Sequence, residues 1–77
     1  MKRLVSILTT VLAVPEQSIH DSSSPATIPS WDSFNGLVIM AELERAFRVK
    51  FTLEEIHAVR SVGELKEVLK AHGVKSE

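Results

Sequence analysis

The sequence predicts an all-α protein: a four-helix bundle with a long loop between its first and second helices and a short third helix. Three observations carry that expectation. Two segments, one at the N-terminus and one running from just after Trp31 to about Phe47, place their apolar residues at helical spacing. Two later segments, Thr52-Leu53-Glu54-Glu55 and Ser61-Val62-Gly63-Glu64, put a hydroxyl three residues before a carboxylate, the arrangement that satisfies free amides at a helix start. The chain is 77 residues long, so these helices must share one core, and residues 1–77 are expected to form a single domain.

In the first helix, successive residues turn by about 100°, which gathers Lys2, Arg3, Ser6, Thr9 and Thr10 on one arc and leaves Leu4, Val5, Ile7, Leu8, Val11, Leu12 and Val14 on the other. One apolar face therefore packs inward. Met1-Lys2-Arg3 ahead of an apolar stretch has the outline of a secretory signal, but Ser6, Thr9 and Thr10 interrupt it, no small-x-small site follows, and Pro15 stands where cleavage would fall. No segment approaches the roughly 20 apolar residues of a membrane span. A soluble, cytoplasmic monomer with no membrane insertion is expected.

From Pro15 to Ser30 the residues are those of a loop, with Pro15, Ser22, Ser23, Ser24, Pro25, Thr27, Pro29 and Ser30. Ile19 and Ile28 are its only large aliphatics and should pin it to the core. Trp31 follows, expected to pack as a partial lid. Within the second helix Gly36 costs about 1 kcal/mol relative to Ala. Its wheel position lies on the core side with Ile39, Met40, Leu43 and Phe47, so a close helix approach is expected there. The helical pattern breaks at Arg48-Val49-Lys50-Phe51. Two helices should follow, from Leu53 to about Ala58 and from Val62 to about Ala71, with Gly73 ending the last.

Composition narrows the function. Hydrophobic residues make up 44% and charged residues 25% of the chain, ordinary for a globular domain. Ten acidic residues against nine basic ones give a formal charge of -1, without the basic surplus that nucleic-acid binders concentrate on one face. With no cysteine the chain has no disulfide, thiolate metal site or cysteine nucleophile of its own. His20, His57 and His72 are far apart in sequence, and Glu54 and Glu55 ahead of His57 form no H-E-x-x-H pattern, so no metal site is expected. Binding or carrying fits so small a chain better than catalysis.

The most distinctive segment is Trp31-Asp32-Ser33-Phe34, at the boundary between the loop and the second helix. Asp and Ser at such a boundary serve most often as N-caps. A hydroxyl there is also well placed to bear a phosphodiester, because free amides and the positive end of the helix dipole favour an anion. The two roles are compatible.

Asp32-Ser33-Phe34, the long loop before it and Glu42-Leu43-Glu44-Arg45-Ala46-Phe47 after it resemble the acyl carrier protein family, whose usual motif is Asp-Ser-Leu ahead of an acidic helix. Ile28-Pro29-Ser30-Trp31-Asp32-Ser33 is similar to a subgroup with Trp-Asp-Ser at this point, associated with specialised pathways. The resemblance extends through Phe51-Thr52-Leu53-Glu54-Glu55-Ile56 to Ser61-Val62-Gly63-Glu64-Leu65 and implies a four-helix bundle of acyl-carrier type. It implies that Ser33, preceded by the acidic Asp32, receives 4′-phosphopantetheine from a phosphopantetheinyl transferase. The terminal thiol of that group would carry an acyl chain as a thioester to acyl-loading and acyl-processing enzymes of lipid or polyketide biosynthesis. The chain would be no enzyme itself.

The sequence departs from the family in ways that bear on cargo and partners. Phe34 stands where leucine is common, as in D-alanyl carrier proteins, and the near-neutral charge contrasts with the acidity of bulk fatty-acid carriers. Phe34, Met40, Phe47 and Phe51 are expected to fill the bundle interior and favour short or polar cargo. Phe34, Leu37, Val38 and Ala41 form a second apolar arc beside Ser33, shared with Glu44 and Arg45, and this surface is expected to contact partner enzymes mainly through apolar groups. Two other readings stay open: an aminoacyl or peptidyl carrier, which keeps Ser33 and changes the cargo, and a small helical interaction module without a prosthetic group.

Overall fold

The computed structural model describes residues 2–75, and among them all regular secondary structure is helical, with no strand. Helix α1 spans Lys2–Leu12, α2 Ser33–Phe47, α3 Leu53–Ala58 and α4 Val62–Ala71, with one 3-10 turn, Glu16–Ser18, in the long connection. The Cα radius of gyration is 11.2 Å, that of a compact chain of this length. No helix among the described residues is long and apolar enough to cross a membrane.

The α1 periodicity becomes a row of three fully buried side chains, Leu4, Leu8 and Leu12, in one core cluster with Ile39, Met40 and Leu43 of α2 and Val62, Leu65 and Leu69 of α4. Helices α1 and α2 run antiparallel. At one end Arg3 Nη1 donates to the Ala46 carbonyl (3.2 Å) and its guanidinium lies 5.4 Å over the Phe47 ring. At the other end Ser30 Oγ donates to the Leu12 carbonyl (2.7 Å), satisfying the last turn of α1, while Asn35 Nδ2 donates to the Ser30 carbonyl (2.7 Å). The start of α2 is thus tied through Ser30 to the end of α1, where Ala13 turns into the left-handed region at φ 56°.

The connection is far from structureless. Ile28 is buried and Ile19 half-buried, as the sequence led one to expect. The rest of its anchoring is polar: Ser23, itself buried, accepts from the His20 amide (2.8 Å) and donates to the Ser18 carbonyl (3.1 Å). The carbonyls of Ser23 and Asp21 then accept from the Val62 and Gly63 amides (3.0 and 2.8 Å), the open donors at the start of α4. Lys66 of α4 closes on Asp21 at 2.6 Å.

Both hydroxyl–carboxylate pairs act at helix starts, in different ways. At α3 the capping box is complete: the Glu55 amide donates to Thr52 Oγ1 (3.1 Å) and the Thr52 amide to Glu55 Oε1 (2.8 Å). At α4 the Glu64 amide donates to Ser61 Oγ (3.2 Å), but Glu64 Oε1 reaches one residue further back and accepts from the Arg60 amide (2.8 Å). Helix α4 ends in a Schellman arrangement, with Gly73 at φ 87°, its amide bonded to the Lys70 carbonyl (2.9 Å) and the Val74 amide to the Leu69 carbonyl (3.0 Å).

Candidate functional site

Asp32 and Ser33 divide the roles at the start of α2. Asp32 is the N-cap, its Oδ1 accepting from the Asn35 amide (2.8 Å), and its carbonyl accepts from the Gly36 amide (2.8 Å). Ser33, the first helical residue, is exposed, and its hydroxyl has no hydrogen-bond partner among the described residues. The free hydroxyl therefore sits at the positive end of a 15-residue helix without being spent on capping.

Beside it opens a groove of about 540 Å³. Asp32, Ser33 and Leu37 form its α2 side, Trp31 and Met40 line its depth, and Ile56, His57 and Arg60 on and after α3 face them. The six-residue α3 is too short for periodicity to have marked this opposite wall. Its only advance signal was the capping box that fixes where α3 begins.

Trp31 packs, being 5% exposed, as expected of a lid on the core. Gly36 is a correction: it is half-buried and meets no other helix closely. A Cβ built there lies 3.6 Å from Trp31 Nε1 and 3.9 Å from Trp31 Cδ1, so the neighbour of position 36 is the loop indole. The four bulky residues expected in the interior divide: Met40 and Phe51 belong to the buried core and Phe47 packs against it, and Phe34 is the correction. Phe34 is 72% exposed and fills nothing; Phe47 lies under Arg3 at the far end of α2, and buried Phe51 packs edge-on against His72 with centroids 5.3 Å apart. Of the four bulky residues invoked to crowd the cargo, Met40 alone lines the groove.

The second apolar arc beside Ser33 is exposed in part. Phe34 and Leu37, 72% and 56% exposed, are large apolar groups left open next to Ser33; Ala41 is exposed and Val38 half-buried. The charges on this helix are largely engaged within the chain. Arg45 holds Glu42 at 2.6 Å, and Glu44 Oε2 accepts from the Phe51 amide at 2.8 Å, so Glu44 ties the end of α2 to the following link. No group of three or more metal-ligating side chains occurs among the described residues.

No protein-family model matches the chain, and no curated protein matches it.

Proposed function

We propose that this chain is an acyl carrier protein with a four-helix bundle of acyl-carrier type, in which Ser33 bears 4′-phosphopantetheine and Asp32 supports it. The observation that carries the reading is the exposed Ser33 hydroxyl, unbonded at the start of α2 and opening onto a groove of about 540 Å³. The position suits a phosphodiester: the hydroxyl is accessible to a modifying enzyme, and the Ser33 and Phe34 amides are the open donors beside Asp32 and the Asn35 and Gly36 amides it engages. The prosthetic group supplies the thiol that a chain without cysteine lacks, and with it a thioester on a mobile arm. The chain itself presents the hydroxyl, fixes its place through Asp32, and offers an apolar groove in which part of a tethered group is sheltered from water. Tethering then delivers the cargo to partner enzymes at high effective concentration. A cytoplasmic monomer serving a phosphopantetheinyl transferase and acyl-loading and acyl-processing enzymes completes the proposal. Incubation with a promiscuous transferase and coenzyme A tests it by intact mass: the wild-type chain gains one phosphopantetheinyl group and Ser33→Ala gains none. A wild type left unmodified by several transferases would refute it.

A further inference from the structure

Trp31 is 5% exposed, yet its indole nitrogen has no hydrogen-bond partner among the described residues. Every fully buried side-chain nitrogen or oxygen among those residues is bonded, so Nε1 is not one of them and keeps an opening. Two observations place that opening in the groove beside Ser33. Trp31 and Gly36 both line it, and the space a side chain at position 36 would take lies 3.6 Å from Nε1. An open donor that no group of the chain satisfies is available to a ligand that brings an acceptor.

We propose that Trp31 and Gly36 form a donor wall in this groove: the indole N–H, left open because position 36 carries no side chain, hydrogen-bonds a carbonyl oxygen of the pantetheine arm or of its acyl cargo. This deepens the carrier reading and rests on it for the identity of the ligand. The surrounding wall is apolar at Ile39, Met40 and Ile56, so one directional donor sets where along a tethered chain the carbonyl comes to rest. Saturated hydrocarbon satisfies the wall and leaves the donor open. A group with a carbonyl at the right depth satisfies both.

The chain has a single tryptophan, so one indole N–H signal in a nitrogen–proton correlation spectrum reports the site without ambiguity. The unmodified protein is compared with its phosphopantetheinyl form and with the octanoyl and 3-oxooctanoyl thioesters of that form, each verified by intact mass. Free S-octanoylpantetheine and S-3-oxooctanoylpantetheine are titrated into the unmodified protein in parallel, so the readout does not require attachment. The indole proton should move downfield and exchange with solvent about five-fold more slowly, the factor expected of a hydrogen bond of ordinary net strength. A change already complete in the phosphopantetheinyl form identifies an arm amide as the acceptor; one that appears only with the 3-oxo cargo identifies the cargo. In Gly36→Ala the added methyl screens Nε1, and the effect should be lost while the circular dichroism remains helical. An indole signal that stays in place in every form, tethered and free, overturns the proposal whether or not Ser33 accepts the arm. Failure of Ser33 to gain mass speaks instead against the carrier reading.

Discussion

Two adjacent side chains at the start of α2 carry unequal structural weight. Asp32 bonds the Asn35 amide, whereas Ser33 bonds nothing among the described residues. Asp32→Ala should therefore cost about 1 kcal/mol, the usual loss for an N-cap, and Ser33→Ala should leave the urea midpoint within error. Equal losses for the two variants would contradict this division. Gly36 offers the opposite sign. An alanine there removes a glycine from a helix interior, a gain of about 1 kcal/mol, against which its methyl screens the indole N–H from water, so Gly36→Ala should stabilise the chain by less than that. A destabilised variant would mean that screening the indole N–H outweighs the glycine term. Glu44 also carries structural weight: without its carboxylate the Phe51 amide loses its acceptor, and Glu44→Ala should lower stability by about 1 kcal/mol or more.

At the scale of the helix, α2 presents Phe34 and Leu37 beside Ser33 while Glu42 and Glu44 are engaged by Arg45 and the Phe51 amide. A partner that docks here meets apolar surface and few free carboxylates. Leu37→Glu is expected to lower kcat/KM of the transferase for Ser33 about tenfold, as loss of a central apolar contact does. Raising salt from about 0.05 to 0.5 M should change it only a few-fold. A steep fall with salt, with Leu37→Glu neutral, would indicate recognition by charge. Helix α3 differs in kind. It contributes no buried residue, leaves Leu53 73% exposed, and is held by its capping box and by Glu55, which lies 2.9 Å from His72 Nε2. The Thr52 amide first, and His72 second, hold the Glu55 carboxyl below its ordinary range, as Lys66 holds that of Asp21. A carboxyl depressed in the folded chain adds stability above its unfolded pKa and loses it as pH falls through the folded value. Thermal midpoints should therefore be level from about pH 7 to 5 and drop below about pH 4, less steeply in the Asp21→Asn and Glu55→Gln double variant. An acid limb unchanged by that variant would rule out these two groups as its source.

For the whole molecule, the sequence revealed what repeats or what caps. Leu4, Leu8 and Leu12 announce α1 by spacing, and Thr52 and Ser61 announce α3 and α4 by chemistry, so these elements fall where expected. What joins the elements was hidden. The carbonyls of Asp21 and Ser23 fasten the long connection to α4, and any residue could supply those carbonyls, so no side-chain pattern marks them. Glu44 read as a surface charge because its partner is a backbone amide seven residues on, beyond any helical spacing. Phe34 drew two expectations, an interior place from its bulk and an outer arc from its wheel position, and its exposure in the first turn of α2 follows the wheel. At the candidate site, Asp32-Ser33 was legible as a helix start with a hydroxyl suited to a phosphodiester, and that Asp32 alone does the capping was not. The groove was not, because its α3 wall comes from a helix too short to show a face.

The most direct test of the central claim is to localise the modification. The chain is incubated with coenzyme A and a phosphopantetheinyl transferase, and the peptide containing Trp31-Asp32-Ser33-Phe34 is sequenced by tandem mass spectrometry. The carrier reading requires one phosphopantetheinyl group, on the Ser33 oxygen and no other. A group on a different serine, or an unmodified peptide in a chain that melts cooperatively, would contradict it.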